Sequence, residues 1–167
     1  HLNALYDLCN KLYVDAIIQP GKKRNEYRAL NDMVDRSSIQ EKVIVIADRG
    51  YESYNVFAHI EQKGWNYAIR VKDINSSGIL SKRKLTEKDE FDETLSFTLT
   101  RKQTNEIKAN PERYQFIPSG STFDFLDLHT KKFYPITLRA VRFKLSEDTY
   151  ETIITNLSAE DFPLEEV

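Results

Sequence analysis

The chain has 167 residues, of which 40% are hydrophobic and 30% charged, a composition typical of a globular domain. Its 24 basic and 26 acidic side chains give a formal net charge of −2, which excludes a protein that binds nucleic acid through a uniformly basic surface. The single cysteine excludes an intrachain disulfide and a thiolate metal site, and is consistent with a cytoplasmic protein. No apolar run reaches the roughly 18 residues that a membrane span needs.

The first 20 residues predict an antiparallel hairpin. Apolar and polar residues alternate in two runs, residues 2–8 and 12–18, which Asn10-Lys11 separates. Pro20-Gly21 then ends the second run. Because the sequence lacks an initiator methionine and starts inside this pattern, we expect both of its ends to be fragment boundaries.

The segment that follows predicts two helices and two strands. Apolar residues recur at helical spacing over residues 25–36, which indicates an amphipathic helix. An uninterrupted apolar run at residues 43–47 predicts a central strand buried on both faces. Ser53 is the expected N-cap of a second helix, and Gly64 is its expected end. Residues 65–71 alternate again, as a strand does.

From residue 73 onward strand patterns dominate and long helical periodicity is lost. Further strands are predicted at residues 95–99, 123–128, 134–143 and 152–157. Asn110-Pro111-Glu112 favours a short helical turn. The order of elements predicts an α/β (α+β) fold in which helices pack on a mixed sheet.

Asp48 is the residue most suited to chemistry. It is the first polar residue after the predicted buried strand, and Gly50 follows two positions later. In open α/β sheets functional groups gather beyond the carboxyl ends of strands, and a carboxylate there can bind a hard cation such as Mg²⁺. Position alone favours a plainer role, because aspartate is common as a cap at the start of a helix.

A sequence motif around Asp48 favours the catalytic role over the capping role. Ile46-Ala47-Asp48-Arg49-Gly50-Tyr51-Glu52-Ser53 resembles the second-aspartate motif of DDE transposases of the insertion-sequence type 4 family. The segments that resemble the family's approach to this motif are Leu5-Tyr6-Asp7-Leu8, Tyr13-Val14-Asp15-Ala16 and Asn25-Glu26-Tyr27-Arg28. Two later segments are similar to family strands, namely Ile69-Arg70-Val71-Lys72 and Thr155-Asn156-Leu157. The resemblance spans most of the chain, although residues 73–135 resemble the family only in being rich in predicted strands and not in particular motifs.

The resemblance implies a ribonuclease H-like mixed sheet with helices, interrupted by a β-rich insertion. By this likeness residues 1–72 are a partial catalytic core and residues 73–145 are the insertion. Residues 146–167 return to the core and stop before the helix that carries the catalytic glutamate. The implied reaction is metal-dependent cleavage and transfer of DNA strands at transposon ends, with two Mg²⁺ or Mn²⁺ ions held by Asp, Asp and Glu.

The resemblance also implies roles for individual residues. Asp48 is a catalytic residue and a metal ligand. Arg49, Arg70 and Lys72 are candidate contacts to DNA phosphate. The alternatives are that Arg49 braces its loop and that the other two line a solvated strand edge. The remaining basic clusters are expected to be solvated: residues 22–24, residues 82–84, and Arg139, Arg142 and Lys144.

The sequence departs from the family pattern at two carboxylates. The family's first aspartate lies upstream of His1, and Glu165-Glu166 do not match the helix that carries its last glutamate. Because one carboxylate cannot hold two metals, we expect the chain alone to be inactive. The parent protein is expected to bind double-stranded DNA as a homo-oligomer, without a membrane partner, and to be cytoplasmic and nucleoid-associated.

Two other functions stay open. One is a non-catalytic module that binds DNA or protein and derives from a degenerate transposon. The other is a different nuclease on the same fold, since a fold does not fix a function. Whether the parent gene encodes the missing Asp and Glu discriminates between a transposase and the non-catalytic module. The type of DNA end that is processed discriminates between a transposase and a different nuclease. Asp48 itself should lie at the carboxyl end of a strand, beside the hairpin of residues 1–20 in a mixed sheet.

Overall fold

The computed structural model describes residues 1–81, 83–127, 129–147 and 149–164. In chain order its elements are β1 (Leu2–Asp7), β2 (Leu12–Ile18), α1 (Glu26–Arg36), β3 (Ile44–Ala47), α2 (Tyr54–Gln62), β4 (Asn66–Val71), β5 (Phe91–Thr100), α3 (Asn105–Ala109), β6 (Tyr114–Phe116), β7 (Phe133–Ser146) and β8 (Thr149–Thr155). Six strands form one mixed sheet in the order β3-β4-β8-β7-β5-β6. The predicted α/β (α+β) class is confirmed, and the architecture is consistent with a ribonuclease H-like fold.

The predicted hairpin is present, but it forms a two-stranded sheet of its own. β1 and β2 pair antiparallel along their length. The guanidinium of Arg36 in α1 donates to both carboxylate oxygens of Asp15 in β2, over 2.6 and 2.7 Å. Among the described residues no strand pairing joins the hairpin to β3. The expectation that the hairpin lies beside Asp48 in one sheet is therefore wrong, because side-chain contacts with α1 hold it instead.

The two predicted helices begin at the predicted caps. Asn25 Oδ1 accepts the amide of Arg28 over 3.0 Å, and Ser53 Oγ accepts the amide of Asn55 over 3.2 Å. These bonds satisfy amides that a helix start leaves without partners. Gly64 follows α2 with φ at 77°, the left-handed conformation that closes a helix. Both helices contribute apolar side chains to the core that covers one face of the sheet.

β3 lies at the edge of the six-stranded sheet, and the prediction of a central strand buried on both faces is wrong. Val45 is 7% exposed in the core, whereas Ile46 is 67% exposed on the opposite face. In the part of the chain that the structure describes, β3 pairs with β4 alone, in parallel. The β-branched residues of the run 43–47 indicate a preference for the strand conformation, but they do not indicate where in the sheet the strand lies. The alternation predicted for β4 is confirmed, since Tyr67, Ile69 and Val71 are buried.

The chain after residue 73 extends the same sheet. β5 pairs with β7, β7 with β8 and β8 with β4, all antiparallel. The sequence missed α3 and β6, which at five and three residues are too short to show a period. The strand predicted at 123–128 is wrong, because residues 121–127 form turns and irregular backbone and Leu128 lies outside the described residues. Within the described ranges no helix is both long and apolar enough to cross a membrane.

Candidate functional site

Asp48 follows β3 on the side of the sheet that is formed by the carboxyl ends of the parallel strands β3 and β4. β8 runs antiparallel to β4, so its first residues reach the same side, and Thr152 pairs there with Val71. The position predicted for Asp48, at the carboxyl end of a strand in a mixed sheet, is thus confirmed. We call this region the carboxyl edge, and it comprises Asp48, Arg49, Arg70, Lys72 and Glu151.

Asp48 caps the short 3₁₀ turn that follows it, Arg49–Tyr51. Its Oδ1 accepts the amide of Gly50 over 2.9 Å, so the backbone fixes the direction of the carboxylate. In the described part of the chain no hydrogen bond engages Oδ2. One carboxylate oxygen therefore fulfils the capping role, and the other has no hydrogen-bond partner among the described residues.

Gly50 makes room for the carboxylate of Asp48. A Cβ at this position would lie 2.9 Å from Asp48 Oδ1, too close for both atoms to stay in place, and at an ordinary contact distance of 3.7 Å from Glu26 Oε2. The other oxygen of Glu26 lies 3.1 Å from His1 Nε2. Burial, followed by the negative charges of Glu26 and Asp48, raises the pKa of Tyr51. The sequence indicated Glu26 only as part of a flanking segment, because its approach to Asp48 depends on how α1 packs.

Both predicted arginines contact one carboxylate, that of Glu151 on β8. Arg70 Nη2 lies 2.5 Å from Glu151 Oε2, and Arg49 Nη2 lies 3.8 Å from Oε1. The side chain of Glu151 is 11% exposed, against 56% for Arg49 and 46% for Arg70. The hydrogen bond to Glu151, then its charge and that of Asp48, raises the pKa of Arg70. The arginines are therefore reachable from solvent but already paired.

Lys72, the remaining candidate contact to DNA, directly follows β4 and lies beside Glu52. The carboxylate of Glu52 accepts the amide of Lys72 over 2.8 Å and the amide of Ile79. A Cβ at Gly78 would lie 2.8 Å from Glu52 Oε1, so this loop packs tightly against the end of β4. The side chain of Lys72 is exposed, and among the described residues no carboxylate forms a salt bridge with it.

An open cleft of about 350 Å³ lies beside the carboxyl edge. Its lining includes Arg49, Lys72 and the first residues of α2. Residues 115–118 and 121–123, from the β-rich part of the chain, line it as well. The volume is at the small end of the range for ligand pockets. The cleft shows that both halves of the chain approach the edge where Asp48 lies.

The described residues do not fit a two-metal site. Across these ranges no group of three or more His, Cys, Asp and Glu side chains is arranged to hold a metal ion. Two-metal phosphoryl transfer needs several carboxylates that share ions about 3.5–4 Å apart. Asp48 can supply one ligand to such a site, but the chain as described does not complete it.

Two arginines expected to be solvated are buried instead. Arg142 Nε donates to Asp73 Oδ1 over 2.7 Å and Arg139 Nε to Asp92 Oδ1 over 2.8 Å, and both arginine side chains are 5% exposed. Their partners lie 69 and 47 residues away in sequence, so local composition could not reveal them. Residues 22–24, Lys84 and Lys144 are exposed as expected, Arg83 is half-buried, and Lys82 lies outside the described residues.

Comparison with families of known proteins relates the chain to a described family. The chain matches the model of a family described as the transposase DDE domain, over residues 1–167. No curated protein and no solved structure matches the chain. The family match thus includes the carboxyl edge and the β-rich segment together.

Proposed function

Because the chain belongs to the transposase DDE-domain family, we propose that it is part of an enzyme that cleaves and transfers DNA strands at transposon ends. The match over the whole chain is the observation that carries this proposal. The narrower assignment to the insertion-sequence type 4 family rests on residues 46–53 and their flanking segments. Proteins of the wider family use divalent metal ions, so Mg²⁺ or Mn²⁺ is the proposed cofactor of the intact protein.

Asp48 is the proposed catalytic carboxylate and metal ligand. Its place after β3 and the free Oδ2 within the described structure support this role. Bound divalent ions would stabilise negative charge on the oxygens of the phosphate being transferred. Because the described carboxylates do not complete a two-metal cage, the 167-residue chain is proposed to be inactive by itself. The missing aspartate and glutamate belong to the parent protein in this proposal.

The proposed substrate is double-stranded DNA. Arg49, Arg70 and Lys72 extend from the carboxyl edge, where phosphate contacts would orient the duplex without reading its sequence. We assign residues 1–72 and 146–167 to the catalytic core and residues 73–145 to the insertion. The intact protein is proposed to act as a homo-oligomer on paired ends and to be cytoplasmic and nucleoid-associated.

The second candidate function is a DNA- or protein-binding module without catalysis, derived from a degenerate transposon. The incomplete carboxylate set among the described residues is the observation that favours it. The two candidates differ in what the parent gene encodes, since only an enzyme needs all three carboxylates.

Sequencing the parent reading frame on both sides of this chain tests the proposal. We expect an aspartate at the end of an apolar strand upstream. Downstream we expect a helix with tyrosine, arginine, glutamate and lysine at the family spacing. A frame that is broken, or that lacks either carboxylate, would leave only the binding module.

A further inference from the structure

Glu151 lies at the carboxyl edge but outside every motif that pointed to function. It is the third residue of β8, the strand that pairs with β4, and both candidate DNA-binding arginines lie within ion-pair distance of it. We propose that Glu151 is an intramolecular competitor for DNA phosphate, which holds Arg49 and Arg70 until DNA takes its place. The inference rests on the proposed function, because it assumes that these two arginines bind DNA.

The pairing of strands places Glu151 where it can act in this way. Arg70 lies opposite Ile153 in the antiparallel pair of β4 and β8. Glu151 is two residues earlier on β8, so its side chain is on the same face and diagonal to Arg70. Each carboxylate oxygen faces a different guanidinium. Oε2 accepts a hydrogen bond from Arg70, and Oε1 lies within ion-pair distance of Arg49, so the carboxylate occupies the place between two guanidiniums that a phosphate group could take.

The charges of the carboxyl edge explain why this contact would matter. The carboxylates of Asp48 and Glu151 balance the guanidiniums of Arg49 and Arg70. A DNA phosphate that approaches these four residues therefore meets little net attraction. With Lys72 the carboxyl edge has three cations and two carboxylates, a net charge of +1. Loss of the Glu151 charge would raise this to +2, and the added positive charge would lie on half-exposed arginines that DNA can reach. The side chain of Glu151 is largely buried, whereas those of Arg49 and Arg70 are about half exposed. The arginines are therefore the groups that can turn toward solvent.

A small contribution to folding is expected from this contact. Glu151 is largely buried, but Arg49 and Arg70 are about half exposed, so solvent screens the two pairs and can hydrate the guanidiniums once the Glu151 charge is removed. Glu151→Gln is therefore expected to fold. It keeps the size and one hydrogen-bond acceptor of the side chain, and it removes the charge.

The test is DNA binding by the 167-residue chain, measured by fluorescence anisotropy with a short duplex over a series of salt concentrations. For Glu151→Gln we expect affinity about threefold to tenfold above the unsubstituted chain near 0.1 M salt, because about one further cation reaches phosphate. The slope of log affinity against log salt should become steeper by about one unit. Glu151→Asp keeps the charge, so its slope should stay close to that of the unsubstituted chain.

The matched control is Glu160→Gln. Glu160 is exposed and follows the far end of β8, at the opposite edge of the sheet, and the change in net charge is identical. We expect it to raise affinity by less than about twofold, because screening limits interactions between distant exposed charges. An equal gain from both variants, or no gain from Glu151→Gln, overturns the inference.

Arg49→Ala and Arg70→Ala separate this inference from the proposed function. If both variants bind DNA as the unsubstituted chain does, the proposed contacts are wrong and the inference falls with them. If both weaken binding while Glu151→Gln leaves affinity and salt slope unchanged, only the competitor role is wrong. Thermal unfolding of every variant identifies any loss of binding that comes from loss of fold.

Discussion

Gly50 is close enough to Asp48 and Glu26 to belong to the site although it has no side chain. In Gly50→Ala the new Cβ would lie 2.9 Å from Asp48 Oδ1, so the carboxylate must turn away. We expect strand cleavage by the full-length parent protein to fall by about tenfold or more, because a displaced catalytic group loses its alignment. The free energy of unfolding should change by less than about 1 kcal/mol, because the position is in a surface turn.

Gly120→Ala is the control for this substitution. Gly120 lies in an exposed turn, and a Cβ there meets no atom within 4 Å. Cleavage assays and urea unfolding on the same preparations measure both effects. Equal activity of the two alanine variants would mean that the direction of the Asp48 carboxylate has no part in catalysis.

Asp73 joins the end of β4 to β7 through Arg142. The hydrogen bond from Arg142 lowers the pKa of Asp73 below its ordinary value of 3.8. A carboxyl with a lowered pKa stabilises the folded state above its unfolded pKa, and that stabilisation is lost as pH falls through the folded pKa. Asp73→Asn leaves the buried guanidinium without its counter-charge, which should cost about 1–3 kcal/mol at pH 7.

Urea unfolding of both proteins between pH 7 and pH 3 measures this effect. The difference between the unsubstituted chain and Asp73→Asn should be constant at neutral pH and should shrink below about pH 4. A difference that persists unchanged at pH 3 would show that the cost comes from packing and not from the charge on Asp73.

β3 offers a comparison within a single strand. Val45 is buried against the core, and its neighbour Ile46 is exposed on the other face. Val45→Ala should lower the free energy of unfolding by about 2 kcal/mol, and Ile46→Ala by less than about 1 kcal/mol, although isoleucine loses more atoms. Urea unfolding measures both values. Similar losses at the two positions would indicate that both faces of β3 are covered in solution, as the sequence predicted.

The sequence predicted well what neighbouring residues decide. The caps Asn25 and Ser53, the closing Gly64 and the alternation of β4 all depend on residues within a few positions of one another. The same holds for Asp48, whose place after an apolar strand is visible in the sequence. These signals fixed the helices and the position of the candidate site.

Contacts between distant parts of the chain were not predictable. The place of β3 at the sheet edge depends on which strands pair, and alternation carries no information about that. Glu151 meets Arg70 across 81 residues of sequence, and neither residue has a local feature that indicates the other. The separate sheet of the hairpin likewise follows from packing against α1. What the sequence missed is therefore the environment of the site and not its position.

The whole chain is slightly acidic, so any binding to DNA must depend on where its cations lie and not on its total charge. Replacing Arg49, Arg70 and Lys72 together by alanine should lower affinity for a duplex by about tenfold or more near 0.1 M salt. Replacing Lys22, Lys23 and Arg24 removes the same charge from an exposed segment and serves as the control. Fluorescence anisotropy measures both variants, and equal losses would mean that DNA does not select the carboxyl edge.

Asp48→Asn in the full-length parent protein tests the central claim most directly. Asparagine can still accept the amide of Gly50, so the cap and the free energy of unfolding should be retained. If Asp48 is a metal ligand, cleavage of transposon-end DNA in Mg²⁺ or Mn²⁺ should fall by more than about a hundredfold, because a neutral amide is a far weaker ligand for a hard cation. A folded Asp48→Asn protein that cleaves DNA as the unsubstituted protein does would contradict the account and leave Asp48 as a cap alone.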